Sequence, residues 1–426
     1  MNPDNTASLV HVVQVQNVEK DDWFEAFVDA HLGNFISAIS FASNAGYRVL
    51  PVTKQDPTQG FDFLTDPQDS EASPLGWHDD GTTKTTDTSG NNVIAYLDSD
   101  QSATASQSSE GLIFNYTHNP DLSPKVQVNM DAARTNVFYI INTVHDIAYR
   151  YGFTEAGFNF QNTNVKAGGV GGDRVTASVQ SSLGTDNANF QTPPEWVLSS
   201  DISGQSGHMN MYLWTGSDPN RDGGLANDIV THEMTHGITG RMTGGGTARC
   251  LSITESRGLG EGWSDAMADW MEQTSAPIVD YSVGTWVNGG DYFIRSKPYS
   301  TNPRVNPYTY STVLEAIEVH EIGEVWANML HNVHAQLVDA FGFSQTARND
   351  PTSTSGSAVF LHLFLDGLAL QHCNPDFLAA RDAIIQADHN RYSGAHTCVI
   401  WKAFARSGMG VNAADFIDDF GIPSGC

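Results

Sequence analysis

The chain has 426 residues, of which 16% are charged and 40% hydrophobic, with 39 glycines; this describes an ordered, loop-rich protein of two or three structural units and excludes a disordered one. Twenty-one basic residues against 49 acidic ones give a formal net charge of −28, which argues against nucleic acid and anionic membranes as partners. No stretch approaches the roughly 18–20 consecutive apolar residues of a membrane span.

Taken in chain order, the N-terminus "MNPDNTASLVHVVQVQNVEKDD" lacks a basic region followed by an apolar core and does not read as a signal peptide. "LVHVVQVQ" alternates as a half-buried strand does, and "WFEAFVDAHLGNFISAISF" reads as two strands joined by a turn at Asp29 to Gly33. Residues 46–130 are rich in Asp, Ser, Thr, Gly and Pro, which predicts short strands and long loops. "NYT" at Asn115 is a glycosylation acceptor in a secreted protein. The first long helix is predicted over 131–153, and "HMNMYLW" reads as a strand. From about residue 226 the chain turns helical, with helices expected near 226–241, 258–273, 318–341, 356–371, 376–388 and 396–407. No internal repeat is visible. Four cysteines allow three pairings; Cys373 with Cys398 is the favoured one, leaving Cys250 with Cys426.

The chemistry concentrates where the two halves meet. "THEMTHGITG" sets His232 and His236 four apart on one helix face, with Glu233 beside them. Two imidazoles at that spacing can share a zinc ion, and the glutamate can take a proton from water at the metal. Gly237 and Gly240 suggest that this helix ends soon after the second histidine. A chain with 15 histidines can produce such a match by accident, so a third ligand decides. "GLGEGWSDAMADW" supplies Glu261, 25 positions after His236, far enough for an antiparallel helix to return to the metal. Asp265, one turn further on, is placed to accept the other ring N–H of His232.

With these residues in hand, the sequence resembles the fungalysin family of secreted zinc metalloproteases, relatives of thermolysin in the gluzincin group. The resemblance rests on "HEMTHGITGRMTGG", "GLGEGWSDAMADW", "EVHEIGEVWANMLHNVH", "NTVHDIAYRYGFTEAGFNFQ" and "LTDPQDSEASPLGWHDDGT", and spans nearly the whole chain. It implies an α+β, thermolysin-like zincin with a β-rich N-terminal half, a mainly helical C-terminal half and the active site at their junction. It implies three units: 1–45 as the end of a propeptide, 46–225 as the β-rich subdomain and 226–426 as the helical one, with the mature enzyme beginning near "AGYRVLPVTK". It implies one catalytic Zn2+ on His232, His236 and Glu261, with Glu233 as base. A Ca2+ ion is compatible with such a protein, but no motif here supports one.

The family reading also bears on softer positions. His320 in "EVHEIG" resembles the histidine that donates to the oxyanion, with Glu315 and Glu318 as candidate carboxylates to hold it. Read for chemistry alone, His320, His331 and His334 could hold a second metal, but "HEIGE" imitates the zinc motif and ends in Glu324; His331 and His334 fit helix-surface or packing roles better. "DNANF" resembles the edge strand that pairs with substrate backbone, which makes Asn187 and Ala188 substrate-binding candidates. Two readings of Arg295 stand side by side, a hold on a substrate carbonyl and a surface salt bridge. His145 is read as structural, because "HDIAY" lacks a second ligand.

The function expected is a secreted zinc endopeptidase with an apolar preference after the scissile bond. Its partners would be protein and peptide substrates and its own propeptide, and it would act as a monomer. The rivals are a zinc aminopeptidase, a non-catalytic binding protein that has kept a protease fold, and a chain held latent by residues 1–45.

Overall fold

The structure is a computed structural model that describes residues 9–17, 22–40, 45–165, 168–195, 204–290 and 294–426. The chain begins with β1 (Val10–Asn17), β2 (Asp22–Asp29) and β3 (Phe35–Ser40), an antiparallel sheet in the order β1-β2-β3. The strands fall where alternation placed them, but β1 is not half-buried. Val12, Val13 and Val15 are exposed, and because 12 and 13 point to opposite faces, neither face of the described part is covered. Pattern alone cannot say whether a neighbour exists to cover a strand.

Next come β4 (Gly46–Val49), β5 (Asp62–Thr65), β6 (Val93–Leu97), β7 (Asp100–Thr104) and β8 (Ile113–Phe114), short as the composition predicts and separated by loops except at the tight β6–β7 turn. Helix α1 (Gln127–Tyr151) follows, then β9 (Val175–Val179), β10 (Ala188–Gln191), β11 (His208–Met211), β12 (Leu213–Trp214) and β13 (Arg221–Asp222). One five-stranded sheet runs β10-β11-β9-β6-β7, with β11, β9 and β6 parallel and both outer pairs antiparallel. Val93, Ala95, Val175, Ala177, Val179, Met209 and Met211 are buried along it. Helix α1 packs across β4, β6 and β9, and its Val137, Ile140, Ile141 and Val144 join the same core.

The second half is helical: α2 (Asn227–Met242), α3 (Thr254–Glu272), α4 (Val319–Phe341), α5 (Gly356–Leu370), α6 (Phe377–Tyr392) and α7 (Thr397–Arg406). The fold is therefore α+β, with the β-rich half first. Among the described residues no helix is long and apolar enough to cross a membrane.

The disulfides differ from expectation. Cys250 pairs with Cys373 and Cys398 with Cys426. The α2–α3 connection lies against the α5–α6 connection, where the Asn374 N–H donates to the Cys250 carbonyl at 2.9 Å. Sequence spacing gives no view of that loop-to-loop contact.

Candidate active site

Helix α2 is buried almost all round, as a helix between a sheet and other helices must be. Its start is fixed by Asn227, whose buried amide donates to the carbonyls of Leu50, Pro51 and Lys54 at 2.7–3.1 Å and accepts from Asn136 at 2.9 Å. Asp228 accepts from Gly284 N–H at 2.7 Å and from Gln55 at 2.9 Å, and burial pushes its pKa up to about 6. Near the C-terminus, the fully buried Arg241 donates to Asp173 at 2.9 Å and to Glu195 at 2.6 Å. The helix ends at Met242, soon after His236 as expected, with Gly237 and Gly240 inside its last turns. The two glycines also leave room: a Cβ at 237 would lie 2.8 Å from the Phe160 and Phe190 rings, and one at 240 would lie 2.8 Å from Thr192. These contacts bring β10 and Thr192 down onto α2.

One turn of α2 carries His232 and His236, with ring centroids 4.6 Å apart. Helix α3 packs against α2 and carries Glu261. One oxygen of Glu261, Oε2, lies 3.2 Å from His232 Nε2, 3.5 Å from His236 Nε2 and 3.5 Å from His320 Nε2. One ligand atom from each of His232, His236 and Glu261 lies within 4.8 Å of the other two, the one such group of three among the described residues. Buried Oε2 atoms of Glu261 and of Glu233 have no hydrogen-bond partner. A buried carboxylate oxygen without a donor is costly unless a cation meets it, so this arrangement fits a divalent cation. Glu261 owes its place to a close helix crossing. A Cβ on Gly323 of α4 would lie 2.5 Å from the Glu261 Cβ.

His232 Nδ1 meets Asp265 Oδ1 at 2.6 Å. Asp265 is fully buried and also accepts from Arg295 Nε at 2.7 Å, from Arg295 Nη2 at 3.1 Å and from the Tyr299 hydroxyl. Against the cost of burial, Arg295 and then His232 hold the Asp265 carboxyl well below the usual range. Arg295 is thus no surface salt bridge: its side chain is 8% exposed and forms a two-pronged pair that locks the carboxylate orienting His232. It also lines the cleft. Burial raises the Glu233 pKa, while the two histidines oppose the rise.

The carboxylate at His320 is Glu318. It caps the N-terminus of α4 and meets His320 Nδ1 at 2.7 Å and the His320 N–H at 2.9 Å. Glu315 instead ends a turn of 3-10 helix, Tyr310–Leu314, ahead of α4. His331 and His334 are buried and do not lie on the surface of α4. His331 Nδ1 meets Asp269 at 2.7 Å, and His334 stacks on Phe360 at 4.8 Å. Glu324 accepts from the Ser296 N–H at 2.8 Å and from its hydroxyl, which pins the loop bearing Arg295. His145 is buried against Asp146 at 3.0 Å, within a set of bonds to Ser73 and Trp77. Asn115 is exposed, with its side-chain oxygen accepting from Arg48 at 2.6 Å.

These groups open into a cleft of about 490 Å³ that Asn187 and Ala188 also line. Strand β10 is an outer strand of the five-stranded sheet and borders this cleft. Tyr299 and Glu324 are the supports that sequence reading missed. Both act across loops, and no local spacing marks them.

Among known proteins, the family described as fungalysin metallopeptidase (M36) matches residues 46–413. Extracellular metalloproteinase MEP of Pyricularia oryzae is 40% identical, over 95% of this chain and 65% of its own length. Extracellular metalloproteinase 9 of Coccidioides posadasii is 40% identical, over 96% of this chain and 64% of its own length. The chain thus spans slightly under two thirds of these relatives. A solved precursor of protealysin, a metalloproteinase from Serratia proteamaculans, gives a TM-score of 0.43 at 13% identity, covering 69% of this chain and 82% of that one, a weak likeness. With a family match across most of its length, the site included, this chain belongs to the fungalysin metallopeptidase family.

Proposed function

We propose that the chain is a secreted, zinc-dependent endopeptidase that hydrolyses internal peptide bonds and prefers an apolar residue after the scissile bond. The observation that carries this reading is the set of ligand atoms on His232, His236 and Glu261 beside the buried, unpartnered oxygen of Glu233. Two nitrogens and one carboxylate oxygen are the donor set of thermolysin-type catalytic zinc, with one position left for substrate. When bound, zinc supplies Lewis-acid polarisation of the scissile carbonyl and makes the attacking water more acidic.

The chain's own residues do the rest. Glu233 takes the proton of the attacking water and passes it to the leaving amine. His320, held through Nδ1 by Glu318, presents Nε2 to the developing oxyanion. Asp265, locked by Arg295 and Tyr299, holds the His232 proton on Nδ1 and so leaves Nε2 free for the metal. The exposed edge of β10 suits an extended peptide that adds itself as a strand. Ile229, Val283 and Ile294 give one end of the cleft an apolar lining for the residue after the bond.

The lining of the cleft favours an endopeptidase over an aminopeptidase. The cleft lining includes only two carboxylates among the described residues, Glu233 and Glu261, and both face the metal position, so among the described residues none is left over to hold a free α-amine. Secretion is supported by the relatives' extracellular naming and by two disulfides. Residues 1–45 are read as the end of a propeptide, a reading supported by a family match that starts at residue 46.

The test is Glu233→Gln with an N-terminally blocked peptide as substrate. Wild type should cleave it, and the variant should keep about one zinc per chain while activity falls roughly 10²–10⁴-fold. A variant that keeps its zinc and cleaves at the wild-type rate overturns the assignment of the base. A wild type that cleaves only peptides with a free amine overturns the endopeptidase reading.

A further inference from the structure

The two ends of the cleft differ in electrostatics. Its floor follows α2 from Ile229 to Gly240, about 16 Å at the rise of an α-helix. At the Ile229 end the nearby cation is Arg295, and its charge is taken up by Asp265. At the Gly240 end stands Arg257, in the first turn of α3 and one turn before Glu261. Arg257 is exposed, lines the cleft and has no carboxylate partner among the described residues. In a chain of net charge −28, an unpaired guanidinium inside the cleft stands out.

The wall around it is fixed. The connection from α2 to α3 bends into the cleft at Ala248, which adopts a φ of +52°. Two residues on, the Cys250–Cys373 disulfide fastens that connection. Ser252 then donates to Asn374 at 2.7 Å through its N–H, just ahead of α3. The backbone that carries the cation is thus held at the rim of the cleft, and its unpaired side chain is free to reach an anion.

We infer that Arg257 is a specificity-determining residue that draws an acidic substrate side chain to the cleft, on the amino side of the scissile bond. This rests on the endopeptidase reading, in which the apolar end takes the residue after the bond and the Arg257 end therefore takes residues before it. One helical turn separates Arg257 from Glu261, about 6 Å, and an extended peptide advances about 3.3 Å per residue, so the acid sits about two residues before the bond.

The test uses N-terminally blocked peptides identical except for Glu, Gln or Lys two residues before the bond, cleaved by the zinc-loaded full chain. Wild type should favour Glu over Gln roughly three- to fivefold in kcat/KM, the scale of an exposed ion pair, and lose the preference at high salt. Arg257→Gln should bring the ratio to about one, and Arg257→Glu should turn it toward Lys. Each ratio is taken within one enzyme, so a variant with less folded protein still reports. A Glu-to-Gln ratio that is the same in all three enzymes overturns the inference and leaves the endopeptidase reading standing. Failure of wild type to cleave any of the peptides overturns that reading and this one with it.

Discussion

Helix α3 serves two histidine pairs, and they are built from the same parts. At four-residue intervals it presents Glu261, Asp265 and Asp269. Asp265 holds His232 of α2 through Nδ1, and Asp269 holds His331 of α4 through Nδ1. Each of these histidines has a second one on its own helix, His236 four residues on and His334 three residues on. At the first pair Glu261 closes the triangle and an oxygen beside it lacks a partner. At the second pair no carboxylate among the described residues plays that part; Phe360 stacks on His334, and both ring nitrogens of His334 are left without partners in the core. A carboxylate-oriented histidine is thus a common structural unit. What turns one into a metal site is a third donor and an opening to solvent.

The sharpest way to break this comparison is to delete one member from each side. Glu261→Ala should lower kcat/KM at least about a thousandfold, about 4 kcal/mol of transition-state stabilisation, and strip the zinc. His331→Ala should keep its zinc while stability falls by about 3 kcal/mol, because the buried Asp269 loses its contact at Oδ2 and keeps only the Gln273 amide, 2.7 Å from Oδ1. Metal content and a denaturant midpoint measured together separate the two. Zinc loss from His331→Ala would merge the two pairs into one site.

A second prediction turns on the unpartnered ring. Burial lowers the His334 pKa to about 3, against 6.5 for a free imidazole. Below pH 6.5 the unfolded chain takes up a proton that the folded chain refuses, so this contribution to stability is present above 6.5 and is lost as pH falls toward 3. One group spanning that window accounts for up to roughly 5 kcal/mol. His334→Leu should flatten the acid limb of the stability curve between pH 6.5 and 3. An unchanged slope would mean that the ring finds a partner, such as a buried water.

The smallest effect compares the two carboxylates directly. Asp265→Asn should weaken zinc binding about 10–100-fold, as loss of a group behind a metal-ligating histidine does, whereas Asp269→Asn should leave zinc affinity alone. Chelator competition measures both. Equal affinities in the two variants would remove the orienting role given to Asp265.

How much of this was legible beforehand follows from the range of the interactions. Helical periodicity and the His232, His236, Glu261 and Asp265 spacings are local or span one helix pair, and the structure brings those residues together. The choice between Glu315 and Glu318 was not legible, because it depends on where α4 starts and on the cap that Glu318 makes. Arg295 and Tyr299 meet Asp265 from a loop, and Glu324 of α4 meets Ser296 of that same loop, whose path no propensity fixes. The cysteine pairing failed for the same reason. The strand β1 was recognised by its alternation, but the exposure of both faces depends on neighbours that alternation does not report.

The Cys250–Cys373 bridge encloses α3, α4 and α5 in a loop with a sequence separation of 123. His232 and His236 stand outside that loop, and Glu261 and His320 stand inside it. On the endopeptidase reading proposed above, the working chain would be surrounded by copies of itself that cut exposed connections. One cut between the two cysteines leaves both fragments covalently joined, with the histidine pair on one piece and Glu261 on the same or the other. The crosslink therefore turns a severed backbone into a nick, and gives the assembled site a chance to outlive the continuity of its chain.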